Sequence, residues 1–125
     1  GATVESVELD PRAVETAMRR AGDSAEAVKR HAGRVEDLVG RLRDPAAVIL
    51  NPPRAGAAGR VIDTIRARRP QRVVYISCDP ATLARDLRRL CEPAVLPAYR
   101  PTVVQPFDLF PQTAHVETVA VVEAG

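Results

Sequence analysis

Residues 72–80 read Arg-Val-Val-Tyr-Ile-Ser-Cys-Asp-Pro. Val73, Val74, Tyr75 and Ile76 form a nearly continuous apolar run, the pattern of a strand covered by helices rather than of one with a face in water. Asp79 then offers a side-chain acceptor at an N-cap, and Pro80 a preset φ at the first helical position, so a helix begins immediately after Cys78. A buried strand running straight into a helix is half of a parallel crossover unit.

The same punctuation recurs at Asp10-Pro11, and apolar stripes of helical spacing follow both sites. Val14, Ala17, Met18 and Ala21 make one stripe, and Leu83, Leu87, Leu90 and Cys91 another. Ala58, Val61, Ile62 and Ile65 mark a third helix ending before Pro70, and Val35, Leu38, Val39 and Leu42 a shorter one. Strand-like runs lie at 3–9, 27–32, 46–50, 72–77, 102–106 and 116–123, with 93–101 as a loop entering the last pair. The alternation predicts an α/β fold, a parallel sheet with helices on both faces, within a single domain over residues 1–125.

Composition narrows the class. The chain has 125 residues, 46% hydrophobic and 27% charged, enough for one core and not for two. No apolar run approaches the roughly 20 residues that span a bilayer, so no membrane segment is expected, and residues 1–8 lack a signal-peptide layout. Cys78 and Cys91 show neither metal-ligand spacing nor a disulfide framework, so no metal is expected and a reducing cytoplasm is the default location. All basic residues but Lys29 are Arg, clustered at Arg66, Arg68, Arg69, Arg72 and at Arg85, Arg88, Arg89. These clusters suit phosphate, yet they equally suit solvated helix faces, and by themselves they do not establish nucleic-acid binding.

In open α/β sheets, ligands bind beyond the carboxyl ends of the strands. Glu8 ends the first strand, where it either accepts hydrogen bonds from ribose hydroxyls or flanks a helix start in solvent. Asn51-Pro52-Pro53-Arg54 follows the buried strand 46–50, and its two prolines stiffen the turn that carries Asn51. With Arg54 in place of an aromatic residue, the tetrapeptide favours phosphate or a carboxylate over a stacked base. Cys78 sits where unpaired N–H groups of a helix start favour a thiolate, although Asp79 opposes this and an inert core cysteine fits the position too. Glu117, next to His115 and Val116 in the last strand, is placed either as a general base or as an exposed strand residue.

Taken together, Asn51-Pro-Pro-Arg-Ala-Gly56, Tyr75-Ile-Ser-Cys-Asp-Pro-Ala-Thr-Leu-Ala-Arg-Asp86 and Gln105-Pro-Phe-Asp-Leu-Phe-Pro-Gln-Thr-Ala-His-Val-Glu-Thr118 closely resemble the RNA uridine-C5 methyltransferases in order and spacing. The resemblance runs from about Val4 to Val122. It implies a Rossmann-like methyltransferase sheet, S-adenosylmethionine as cofactor and uridine in tRNA or rRNA as target. It further implies that Cys78 is the nucleophile, Glu117 the base, Glu8 a ligand of the cofactor ribose and Asn51 a polar contact near cofactor and uracil. Pro52, Pro53 and Arg54 belong to the substrate side, with Arg54 on RNA phosphate or a site carboxylate. Two departures are mild: Asn51 stands where many relatives have Asp, and Asp79 where Asn is common.

A third departure is larger. Members of that family carry, ahead of the strand ending at Glu8, a further strand and a glycine-rich turn for the cofactor, and often an N-terminal RNA-binding domain; this chain starts after them. The expectation is a C-terminal portion of a catalytic domain, weakly active or inactive alone. The absent strand would lie between strands 3–9 and 46–50, leaving inner edges that re-pair within the chain or promote self-association. Competing readings are a non-catalytic RNA-binding or protein-interaction module that keeps the fold, and a cysteine hydrolase, for which His31 and His115 provide no convincing partner.

Overall fold

The computed structural model describes residues 3–22, 28–108, 112 and 116–125. Where one domain is expected over 1–125, the chain divides into two compact units, Gly1–Arg43 and Asp44–Gly125.

In the first unit, β1 (Val4–Glu8) leads into α1 (Pro11–Ala21), β2 (Val28–Ala32) and α2 (Val35–Leu38), which continues as a 3-10 turn over Val39–Arg41. Asp10 caps α1 by accepting from Arg12 N at 2.9 Å. β1 and β2 pair in parallel from Val4 opposite Val28 to Glu8 opposite Ala32. Glu5 ties the unit together: its carboxylate accepts from Arg43 N at 2.8 Å and lies 3.4 Å from His31 Nε2. The backbone donor of Arg43, then His31, holds the Glu5 carboxyl below its ordinary pKa. His31 is thereby accounted for as a partner of Glu5. Of the stripe on α1, Val14, Ala17 and Ala21 are half-buried while Met18 is exposed, since a two-stranded sheet is too narrow to cover it.

The second unit contains β3 (Ala47–Leu50), α3 (Gly59–Ala67), β4 (Arg72–Ser77), α4 (Pro80–Leu90), β5 (Tyr99–Phe107) and β6 (Glu117–Ala124), with strands ordered β3-β4-β6-β5. β3 and β4 are parallel, as expected from the crossover through α3; β6 is antiparallel to both β4 and β5, so the sheet is mixed rather than wholly parallel. The cause is connection length. The segment between β5 and β6 is too short for a crossover helix, and β6 must return beside β5. β5 also starts earlier than the expected Thr102, with an irregularity between Pro101 and Val103, and its prolines are tolerated because it is an edge strand.

Val73, Tyr75 and Ser77 on β4, with Thr118, Ala120 and Val122 on β6, are buried on one face. Leu83 and Leu87 of α4 pack there against Tyr75, Ala120 and Leu50, and α3 lies beside α4. Consecutive right-handed crossovers put their helices on the same side. The opposite face is more open within this unit: Val74, Ile76, Val119 and Val121 are half-buried, and Ile49 is 72% exposed. The strands thus form two sheets, and in the described residues β1 pairs with β2 alone and β3 with β4 alone. The re-pairing of β1 with β3, one of the two expected outcomes of the open edges, is not what the sheet order shows.

Arg66, one of the clustered arginines, is 4% exposed. Its guanidinium donates to Arg89 O at 2.7 Å in the last turn of α4 and, beyond the helix, to Glu92 O at 2.9 Å and to Val95 O, tying the end of α4 to the segment that follows. Replacing Arg66 with Ala is expected to destabilise the protein by about 2–4 kcal/mol, with Arg66→Lys recovering only part because one ammonium cannot span the same carbonyls. Urea unfolding checks this; a loss below about 0.5 kcal/mol contradicts it.

Candidate active site

Three sheet elements of the second unit meet at one edge. β3 delivers Asn51 beyond Leu50, β4 delivers Cys78 beyond Ser77, and antiparallel β6 enters at Glu117. Leu50 is registered with Tyr75, and Ser77 with Thr118. Extending the antiparallel register by one step sets Cys78 across from Glu117. Facing positions of such ladders have Cβ atoms about 5 Å apart. Ser77 and Thr118 occupy the helix-covered face, so by strand alternation Cys78 and Glu117 fall off it; both are half-buried. Residues 113–115, and with them His115, lie outside the described residues.

The turn after β4 is fixed by its own polar groups. Ser77 Oγ donates to Asp79 O at 2.8 Å and accepts from Asp79 N at 3.1 Å. Asp79 Oδ1 accepts from Ala81 N at 2.9 Å and Thr82 N at 3.0 Å, making the predicted N-cap. The Thr82 amide, reinforced by that of Ala81, holds the Asp79 carboxyl below its ordinary pKa despite the opposing effect of desolvation. One expectation is corrected here: the helix-start N–H groups are not waiting unpaired for the Cys78 sulfur, because Asp79 has taken two of them. Cys91 stands at the C-cap of α4, where burial pushes its thiol pKa up.

The loop carrying Asn51, Pro52, Pro53 and Arg54 is pinned to α4. Thr82 Oγ1 donates to Arg54 O at 3.0 Å, Arg85 Nη2 donates to Ala55 O at 2.8 Å, and Ala57 N donates to Asp86 Oδ2 at 2.8 Å. Gly56 turns the loop with φ +82°, its N–H donating to Pro53 O at 2.8 Å; a Cβ there would come within 2.6 Å of the Asp86 carboxylate. Asp86 also accepts from Tyr75 OH at 2.5 Å, and burial together with that carboxylate drives the Tyr75 pKa well up. Thr82, Asp86 and Gly56 hold this loop in place, and none of them stands out in the sequence as a site residue. The available signal is Asp86 itself, an acid inside the apolar stripe formed by Leu83, Leu87 and Leu90.

Glu8 lies in the first unit, exposed at the carboxyl end of β1, with Oε1 accepting from Asp10 N at 3.2 Å. The arginine clusters are used largely within the chain: besides Arg66, Arg68 pairs with Asp44, Arg72 with Glu123, Arg85 with Asp86 and Arg89 with Asp63, at 2.6–3.0 Å. Among the described residues there is no group of three His, Cys, Asp or Glu side chains able to hold a metal ion, and no helix long and apolar enough to cross a membrane.

Residues 18–124 match the profile of the tRNA (uracil-5-)-methyltransferase family. An RNA methyltransferase of Corynebacterium efficiens is 44% identical over 124 residues, covering 97% of this chain and 27% of the relative. One of Gloeobacter violaceus is 46% identical over 121 residues, covering 96% and 25%. The chain thus spans about a quarter of the length of these curated relatives. The crystal structure of Pyrococcus abyssi tRNA (uracil-54, C5)-methyltransferase in complex with S-adenosyl-L-homocysteine superposes with a TM-score of 0.79 at 30% identity, covering 96% of this chain and 28% of that one. An rRNA methylase from Streptococcus thermophilus shares the fold, with a TM-score of 0.68 at 16% identity and coverage of 98% and 73%. The Rossmann-like methyltransferase fold implied by the resemblance is therefore the fold observed.

The Asp79 cap makes a pH-dependent contribution. Its folded pKa is depressed, so the stabilisation is complete above about pH 4 and is lost as pH falls through the folded value. Asp79→Ala is expected to lower the melting temperature at neutral pH, with the gap to wild type narrowing below about pH 4. Thermal unfolding across that range is the check, and a gap independent of pH contradicts the assignment.

Proposed function

The chain belongs to the tRNA (uracil-5-)-methyltransferase family, and from that premise we propose that it carries the nucleophile and base of an S-adenosylmethionine-dependent RNA uridine-C5 methyltransferase. It acts as a C-terminal part of a longer catalytic domain to which residues 1–125 belong, a soluble cytoplasmic enzyme whose product is 5-methyluridine in tRNA or rRNA. Alone, the chain is weakly active or inactive, and its open strand edges on β1 and β3 favour self-association. The observation that carries the reading is the β4–β6 register, which supports a thiol at 78 and a carboxylate at 117 working on one base beside the 51–54 loop.

The cofactor's requirements fit the residues available. Glu8 is an exposed carboxylate at a strand end and Asn51 an exposed amide at another, the acceptors and donors that ribose hydroxyls and a polar head group need. S-adenosylmethionine supplies the methyl group that uracil C5 acquires. Uracil C5 is a weak carbon nucleophile, and the Cys78 thiolate strengthens it by adding to C6, which pushes the electron pair of the C5–C6 bond into an enolate. Once C5 is methylated it still carries its proton. Glu117 takes that proton, the C5–C6 double bond re-forms, and the C6–sulfur bond breaks to return the thiolate. Pro52 and Pro53 stiffen the turn that presents Asn51, while Arg54 engages RNA phosphate or a site carboxylate.

A non-catalytic RNA-binding module has less support, because most of the clustered arginines are engaged in ion pairs and carbonyl contacts within the chain. The test uses the longer polypeptide containing this chain, incubated with 5-fluorouridine RNA and S-adenosylmethionine. Fluorine at C5 blocks the final proton removal, so wild type is expected to accumulate a covalent complex stable to denaturing electrophoresis, and Cys78→Ala to form none. Glu117→Gln is expected to accumulate the complex even on ordinary uridine RNA. Equal behaviour of wild type and Cys78→Ala overturns the reading.

A further inference from the structure

We infer that Thr82, Arg85 and Asp86 on α4 are positioning residues that lock the Asn51–Gly56 loop to the strand end bearing Cys78; the inference rests on the methyltransferase reading above. These residues stand at i, i+3 and i+4 and so share one face of α4. Each holds a different backbone group of the loop: the carbonyl of Arg54, the carbonyl of Ala55 and the amide of Ala57. The loop is therefore seated along the first two turns of the helix that starts just after Cys78.

Asp86 is the centre of this clamp. It is 2% exposed and accepts from Ala57 N of the loop, Tyr75 OH of β4, and Arg85 Nε at 3.0 Å and Nη2 at 2.9 Å. Burying a carboxylate is costly even when its donors are in place, and stability alone favours an apolar residue at this point of the stripe. What the carboxylate provides instead is direction. One oxygen joins β4, three residues before Cys78, to the amide that ends the Asn51–Gly56 loop. Gly56 lets the loop come this close, since any side chain would strike Arg85 and Asp86. Asp86 lies on the helix-covered side of the sheet with Tyr75, away from the positions of Cys78 and Glu117, so it acts through the loop and not on the base.

The consequence is kinetic. A shift of about 1 Å between a nucleophile and the groups that orient its target can cost about a hundredfold in rate. Thr82 allows this to be tested with little risk to folding, because valine keeps its shape and serine keeps its hydroxyl. In the longer polypeptide containing this chain, single-turnover adduct formation on 5-fluorouridine RNA is expected to slow about tenfold or more in Thr82→Val and Asp86→Asn, with the KM for RNA within about threefold of wild type. Thr82→Ser is expected to return within about twofold of the wild-type rate. The inference is overturned if Thr82→Val reacts like wild type, if Thr82→Ser is as slow as Thr82→Val, or if the slowing only follows the unfolded fraction seen by circular dichroism. A wild type that forms no adduct overturns the methyltransferase reading itself; a wild type that does, with unaffected variants, overturns the clamp alone.

Discussion

β4 is hydrogen-bonded on both sides, to β3 in parallel register and to β6 in antiparallel register, so it cannot slide without breaking two ladders at once. A slip of one residue would also send Val73, Tyr75 and Ser77 from beneath α4 to the opposite face. The buried alternation therefore fixes where the strand ends and which way Cys78 faces. The same register fixes Glu117 on β6. The placement of this thiol and this carboxylate is thus set by a hydrophobic constraint several residues away.

Charge inside the second unit is organised around the same strand. Asp86 links the middle of β4 to the loop leaving β3, while Arg66 ties the last turn of the helix that follows β4 to the 92–95 segment beyond it. The two charges do different work. Arg66 gathers the carbonyls at and beyond the C-terminus of that helix, and Asp86 holds a loop whose prolines and glycine already limit its shape. The ion pairs at Arg68, Arg72 and Arg89 involve exposed partners and contribute little each.

Much of this was legible in the sequence because local signals and burial agree. The apolar run 73–76 and the Asp-Pro starts of α1 and α4 appear where their side chains require, within a residue or two of the predicted limits. The family resemblance, carried by the segments around Asn51, Cys78 and Glu117, matches the family whose profile covers 18–124. What escaped was non-local. Strand direction in the β5–β6 pair depends on a connection too short to cross over, which periodicity does not encode. The commitment of Asp79 to its own cap was implicit in the predicted N-cap, yet its consequence for Cys78 needed the distances. Asp86 was not singled out, and nothing local reveals that Ala57 and Tyr75 converge on it.

The most direct measurement is a crystal structure of the covalent complex between the longer polypeptide containing this chain and 5-fluorouridine RNA. The expected result is electron density joining the Cys78 sulfur to C6 of the pyrimidine, with the Glu117 carboxylate within about 3–4 Å of C5. A base attached elsewhere, or bound to Cys78 with Glu117 turned away from C5, would contradict the proposed pairing of thiol and carboxylate.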